Sequence, residues 1–402
     1  MYSLTFICMT NSSKLNIALV HDDFMQWGGA ERLVLALSEV YPEAPIYTAL
    51  YDEEVLPAGF PKDRLVASGL QKHWLFRKIY RPFFFLHPLV FENFNLSEFD
   101  VVISSTTRFA KSIIVKPPTV HICYCNTPPR FLWSFNEYFE SKDMWSFVKG
   151  LTRIVLAPLV SYLRLVDQTA AQRVDYFVAN SQNVAQRIKK YYQRESSVIY
   201  PFVDLVRFTS GDGRQIGPKN RKGSPCGEYY LIISRLSGHK KIDLAIQAFN
   251  ELGLALKIVG NGPEFNKYRG IAKSNVKLLG RLLDLEVVEL LQNCKAFVYP
   301  QEEDFGITAL EAMACGKAVI ALAKGGALET VVGGQTGLFF LEQTKESLKS
   351  AILRFENIDE AVLSQWEIAC RQRAQEFSKE IFENKIRAFV AEKVSGAYNY
   401  RK

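Results

Sequence analysis

The chain has 402 residues, enough for two or three domains that each bury a core, and 48% hydrophobic with 23% charged residues is the composition of a folded globular protein. That excludes a small disulfide scaffold, a fibre and a disordered chain, while a net charge of +7 suits an anionic ligand or surface without by itself indicating nucleic acid. From residue 15, LNIALV predicts a buried strand and GGAERLVLALSEV a helix, with Ala30, Leu33, Val34, Leu37 and Val40 at helical spacing. Strand, glycine turn and helix open a doubly wound sheet. APIYTAL, FDVVISS, TVHICYC and YFVANS continue as strands, QNVAQRIKKYY as a helix, and residues 146–173 as a long amphipathic helix. Residues 210–228, SGDGRQIGPKNRKGSPCGE, are nearly devoid of apolar side chains and read as a loop or linker beside a domain boundary. A second alternating series follows: YYLIISRL, LALKIVG, VKLLGR, AFVYP and AVIAL as strands, with IDLAIQAFNEL among the helices between them. Two open α/β domains in tandem are expected to face each other across a cleft at the carboxyl edges of their sheets, where such folds bind ligands.

Seven cysteines, at 8, 123, 125, 226, 294, 315 and 370, form neither a CxxC pair nor a Cys/His zinc spacing, so a reducing compartment and no metal are expected. Residues 1–13 lack the basic and long apolar regions of a signal peptide and are expected to be a tail. No run approaches the roughly 20 apolar residues of a membrane-spanning helix.

Four motifs carry chemistry. Between the strand AFVYP and the helical run GITALEAMA, Glu303 and Glu311 bracket a helix start. Backbone N–H groups around Phe305, Gly306, Ile307 and Thr308, aided by the helix dipole, make an anion site, and one carboxylate on each side could bind hydroxyls. The same spacing also fits Glu303 and Asp304 as helix caps with Glu311 solvated. Arg235 at the end of YYLIIS and Lys240 in the next loop could clamp a diphosphate, or be two surface cations. Asn261 and Gly262, in VGNGPE, form a strand-to-helix turn open to a ribose or base, though most such turns only turn. Gly28 and Gly29 open the first helix and could receive a phosphate or an acceptor oxygen, on a weaker signal than GxGxxG.

Together these motifs resemble the family-4 retaining glycosyltransferases of the GT-B fold, whose mark is the E-x7-E pair matched by Glu303 and Glu311. GGAERL at 28–33, HICYCNTPPR at 121–130, VANS at 178–181, SRLSGHKKIDLAI at 234–246, VGNGPE at 259–264 and EDFGITALEAMACGKAVIA at 303–321 fall in the family's order. Within it the chain looks most like the bacterial polysaccharide and O-antigen mannosyltransferase subgroup. The resemblance implies two Rossmann-like domains, an acceptor-binding one over 14–203 and a donor-binding one over 204–380, with the final segment 381–402 returning as a helix to the first. It implies that Arg235 and Lys240 bind the donor diphosphate, that Glu311 holds the ribose, and that Glu303 contacts the transferred sugar. The amides of Gly306 and Ile307 would donate to sugar or phosphate. A hexose would pass with retention from a nucleotide diphosphate sugar, GDP-mannose by subgroup, to a glycan or lipid-linked glycan, without cofactor or protein nucleophile. A phosphate oxygen of the leaving group would assist deprotonation of the acceptor. Where family members commonly carry a histidine at the end of a first-domain strand, this sequence has Asn126, which hydrogen-bonds but carries no charge. His121 lies inside the strand and is either a satisfied core histidine or a ligand. A GT-B phosphorylase, a nucleotide-sugar epimerase and a non-catalytic nucleotide-sugar-binding subunit share these features.

Between 62 and 85, Lys62, Arg64, Lys72, Arg77, Lys78 and Arg81 interleave with Trp74, Phe76, Tyr80, Phe83, Phe84 and Phe85 against one acid, Asp63. That composition suits an anionic membrane surface, as do Lys149, Arg153 and Arg164 on the 146–173 helix, or else a core with a solvated basic rim. No nucleic-acid module accompanies the patch. A cytoplasmic protein, peripheral on the inner face of the plasma membrane, is the expected location.

Overall fold

In the computed structural model, residues 15–78, 81–134, 146–209 and 227–399 are described. The expected tail, Tyr80, Cys8, Cys226 and nearly all of the 210–228 linker lie outside them, as do the side chains of Lys78, Arg81, Phe84, Lys149 and Arg153.

Two sheets organise the chain. The first joins β1 (Ile17–His21), β2 (Ile46–Thr48), β3 (Leu65–Ala67), β4 (Val101–Thr106), β5 (Val120–Cys125), β6 (Tyr176–Ala179) and β7 (Ser196–Val198) in the order β3-β2-β1-β4-β5-β6-β7. The second joins β8 (Tyr230–Ile233), β9 (Leu256–Val259), β10 (Val276–Gly280), β11 (Phe297–Tyr299), β12 (Val319–Leu322) and β13 (Gly337–Phe340) in the order β10-β9-β8-β11-β12-β13, every pair parallel. Parallel strands need crossovers and are covered on both faces, which is why β1, β4, β5, β11 and β12 read as unbroken buried runs.

The second sheet shows the two faces directly. Leu231, Phe297, Tyr299, Val319 and Ala321 belong to one core cluster, with the helices Ile307–Ala314 and Glu360–Gln375. Their strand neighbours Tyr230, Ile232, Val298, Ile320 and Leu322 belong to another, with Ile242–Leu252 and Lys345–Glu356. Alternate residues thus enter opposite cores, as a doubly wound sheet requires.

By contacts the chain divides into two units, one holding the residues up to Asn126, Leu165–Val178 and the chain from Arg387, the other Thr127–Arg164 and Ala179–Ile386. The helix Lys379–Asn399 begins in the second and ends in the first. All five described cysteines are free and buried, and no helix among the described residues is long and apolar enough to cross a membrane.

Candidate functional site

Strand order reverses between β8 and β11, so the loops leaving their carboxyl ends are neighbours. Such a switch point is where open α/β sheets hold ligands. Arg235 and Lys240 follow β8, Asn261 and Gly262 follow β9, and Glu303 to Glu311 follow β11, so ten sequence-derived site residues share one edge of one sheet.

The two loops meet in an ion pair, with Lys240 Nζ donating to Glu303 Oε1. Glu303 also accepts from Gln301 Nε2 at 3.4 Å, and its side chain remains 23% exposed. Burial opposes its charge, but Lys240 and then Arg130 outweigh burial and hold the carboxyl below its usual value. His239, next to Lys240, is pushed down to about 4 by burial and by the Lys240 charge, so its imidazole is neutral at pH 7. Glu311 is buried one turn into the helix Ile307–Ala314.

That helix starts at Gly306, whose φ of +94° is a left-handed conformation; no side chain caps it. A Cβ at Gly306 would lie 2.7 Å from Tyr299 Oη, so both the backbone angle and the space demand glycine. The amides of Ile307 and Thr308 open an uncapped helix, while Ala309 N–H turns back to Gly306 O at 3.1 Å. The Thr308 side chain bonds buried Tyr299. The Phe305 ring is buried, stacked on Tyr200 at 5.5 Å and tilted against Phe377, which leaves only its backbone to face a ligand.

Gly260 and Gly262 serve the chain itself. Cβ atoms there would lie 1.9 Å from Ser234 O and 2.2 Å from Leu236 O, so the glycines let the loops after β8 and β9 pack backbone to backbone. Asn261 between them is exposed, with its Oδ1 accepting from Gly262 N–H at 2.8 Å.

Gly28, Gly29 and Asn126 belong to the first unit. There the strand order reverses between β1 and β4. Gly28 precedes the helix Gly29–Val40 without a side-chain cap, and the Glu31 carboxylate of the first turn folds back to within 3.1 Å of where its Cβ would be. Asn126 Nδ2 donates to Ser105 Oγ at 3.0 Å and to Thr106 O at 3.4 Å. His121 is fully buried, its Nε2 2.8 Å from Ser104 Oγ, and burial pushes it down to about 3, which makes it a core residue.

Several residues escaped the sequence reading. Asp22 fills the nest of amides after β4, its two oxygens accepting from the N–H groups of Thr107 (2.6 Å), Arg108 (2.9 Å), Phe109 (2.8 Å) and Ala110 (2.8 Å). Burial opposes its charge, yet Arg108, His21 and these amides bring it down to about 2. Around it Asp23 pairs with Arg108, and His21 Nδ1 lies 3.1 Å from Ser105 O. In the second unit Arg130 and Arg187 both reach Asp304, at 2.8 and 2.5 Å. Only the two-acid bracket in EDFG hinted at Asp304, and nothing local marked its distant cations.

The basic aromatic segment divides. Arg64 is structural, donating to Ser38 O, Tyr41 O and Ala44 O, each at 3.2 Å, and Arg164 Nε donates to Leu132 O at 2.7 Å. Phe76 packs edge-on against Phe83. Trp74 stands 65% exposed beside exposed Lys72, Leu75 and Arg77, with Phe85 exposed further on.

Two family models match the chain: Glycosyltransferase Family 4 over residues 27–207 and Glycosyl transferases group 1 over residues 219–373. The chain carries these two domains in that order, and its parallel seven- and six-stranded sheets are those of the GT-B glycosyltransferases. It is 28% identical over 384 residues to the alpha-1,3/1,6-mannosyltransferase ALG2 of Candida glabrata, covering 81% of this chain and 80% of that protein. Among solved structures it is similar to Anabaena HepE in complex with UDP, with a TM-score of 0.67 at 18% identity over 94% of this chain and all of that one. It is also similar to WaaG, a glycosyltransferase involved in lipopolysaccharide biosynthesis, with a TM-score of 0.64 at 16% identity over 92% and 98% of the two chains.

Proposed function

We propose that this glycosyltransferase moves a mannosyl group, with retention and without a metal ion, from GDP-mannose to a glycan or lipid-linked glycan of cell-surface polysaccharide synthesis. The observation that carries the donor reading is the convergence of Arg235, Lys240, Glu303 and Glu311 on one sheet edge at the β8/β11 reversal. Mannose is supported by the similarity to ALG2 mannosyltransferases.

In this reading Arg235 and Lys240 neutralise the diphosphate as it departs, and Glu311 accepts from the ribose hydroxyls. The open amides of Ile307 and Thr308 add the positive end of a helix dipole. Lys240 rests on Glu303 in the ligand-free site. When it turns to the phosphates, Glu303 becomes available to a sugar hydroxyl. His239, uncharged, is a hydrogen-bonding neighbour that adds no further cation. An oxygen of the departing phosphate takes the acceptor proton, so no protein nucleophile enters. A double-displacement route would need two carboxylates about 5–5.5 Å apart across the sugar, whereas here Lys240 is paired to Glu303 and Glu311 is buried in the helix.

Calorimetric titration with GDP, UDP, ADP and dTDP, without metal, tests this site in the wild type and in Glu311→Ala. Selective binding of GDP that the variant loses is the expected result; preference for another nucleotide replaces the donor, and no binding at all overturns the site. Anomeric NMR of the product reads retention. The exposed Trp74, Leu75, Lys72 and Arg77 are proposed to seat the protein on anionic lipid, combining interfacial and headgroup contacts. Trp74→Ala with Arg77→Glu should release it from phosphatidylglycerol vesicles; unchanged co-sedimentation would remove the membrane from the proposal.

A further inference from the structure

The loop between β11 and the helix Ile307–Ala314 is held from several directions. Gly326 N–H donates to Glu303 O at 2.9 Å, and Gly325 and Gly326 come so close that Cβ atoms there would lie 2.3 Å from Glu303 O and 2.3 Å from Phe305 Cα. The Phe305 ring anchors the next residue, and Gly306 turns against Tyr299. Beside these backbone and ring contacts and the Glu303–Lys240 pair, the side chain of Asp304 is a further handle.

That handle is gripped twice. Asp304 Oδ2 lies 2.8 Å from Arg130 Nη2 and Oδ1 lies 2.5 Å from Arg187 Nη1, so each carboxylate oxygen has its own guanidinium. Arg187 also stands 3.5 Å from Glu302. All three side chains are largely withdrawn from solvent, where ion pairs are screened less than at a surface. The arginines are themselves braced. Arg187 rides on the helix Gln182–Tyr192, whose first N–H groups, of Gln182 and Asn183, donate to the Glu329 carboxylate at 2.7 and 3.0 Å. Arg130 opens the turn Arg130–Trp133, and Trp133 stacks on Tyr191 of that same helix at 4.8 Å.

We propose that Asp304 is a positioning residue: through the clamp of Arg130 and Arg187 it fixes the 303–306 loop, and so sets where Glu303 meets the transferred sugar. This rests on the donor-site reading above. Both Asp304 oxygens face the clamp. Arg235 lies in the loop after β8 and Glu311 a turn inside the helix, and Lys240 leaves Glu303 for the phosphates once the donor is bound, so the clamp bears on recognition of the sugar more than of the nucleotide. One guanidinium nitrogen at each oxygen holds the carboxylate from both ends, so its orientation is fixed as well as its position.

The test compares affinities of the full chain for GDP and for GDP-mannose, with hydrogen exchange of the 303–307 amides in ligand-free protein. Asp304→Asn should leave GDP affinity within about threefold of wild type, weaken GDP-mannose by about tenfold or more, and raise exchange at 303–307 by about tenfold. Arg130→Ala should do the same, and Arg130→Lys should recover part of the loss. Parallel loss of GDP and GDP-mannose affinity would make Asp304 merely structural, and wild-type affinity for both would remove its role; either overturns the proposal. Should wild-type protein bind neither ligand, the donor reading fails; exchange then still judges the clamp, and unchanged protection in Asp304→Asn overturns it.

Discussion

Gly306→Ala isolates how the donor loop is built. The residue sits at φ +94°, ψ +57°, where an L side chain costs about 1–2 kcal/mol. Its Cβ would also stand 2.7 Å from the hydroxyl of Tyr299, a residue 1% exposed whose hydroxyl bonds Thr308. Tyr299 cannot swing into solvent, so its ring must shift and that hydrogen bond weaken, adding about 0.5–1.5 kcal/mol. The sum is about 1.5–3.5 kcal/mol, which for a domain of about 150–250 residues lowers Tm by roughly 3–14 °C. Gly253→Ala is the control: its φ is +71°, but nothing stands within 4 Å of the added Cβ, so it should lose only the backbone part, about 1 kcal/mol. Thermal unfolding of the two variants with nucleotide titration reads both effects, and Gly306→Ala should in addition weaken GDP binding. If the two melt alike, the contact with Tyr299 carries no energy; if Gly306→Ala also binds GDP like wild type, the left-handed turn does not shape the site.

Arg235→Ala and Glu311→Ala should each lower transfer by at least about tenfold, because each removes a charged contact to the donor; near-wild-type kinetics in both would refute their assignment. Glu303→Gln should lower transfer while tightening the free nucleotide, since Lys240 is released from its carboxylate partner, and calorimetry that finds GDP weakened would show the pair cooperating in phosphate binding. Stability should fall in mild acid. His87 and His121 are held neutral by burial at about 4 and about 3, below the ordinary 6.5, so their contribution is complete above pH 6.5 and is lost as pH falls through that window. Asp22, lowered from 3.8 to about 2, adds stability above pH 3.8 that disappears toward pH 2. Urea midpoints at pH 7, 5.5 and 4 check this, and a flat profile between 7 and 5 would contradict the burial of the histidines.

The sequence was legible where physics is local. The helices Gly29–Val40, Gln182–Tyr192 and Ile242–Leu252 lie where periodicity places them, and β1, β4, β5, β8, β9, β11 and β12 fall within the apolar runs read as strands. The strands β3, β7 and β13 were not anticipated. β3 and β7 are three residues long and only partly buried, and a strand that short has no period to detect. β13, GLFF, begins with a glycine that lies against β12, where a Cβ would be 1.9 Å from Val319 O. Among the site residues, those joined by one strand-turn-helix unit could be read from spacing. Arg130 and Arg187 could not, because they meet Asp304 across sequence separations that no motif spans.

The two switch points use one physical device in opposite ways. At each, backbone N–H groups at a loop or helix start create a site for negative charge. After β4 the chain supplies that charge itself, with the Asp22 carboxylate taking four successive amides and pairing its surroundings through Arg108, Asp23 and His21. A carboxylate already seated there leaves those amides nothing to offer a phosphate. After β11 the helix start has no side-chain cap, glycine stands at its N-cap, and Lys240 rests on Glu303. Uncapped amides beside a lysine that can exchange Glu303 for a phosphate are the arrangement a diphosphate completes. On the reading proposed above the second sheet receives the donor; the Gly28–Gly29 helix start of the first is likewise uncapped, but the Glu31 carboxylate folds back toward it and weakens its claim to a phosphate.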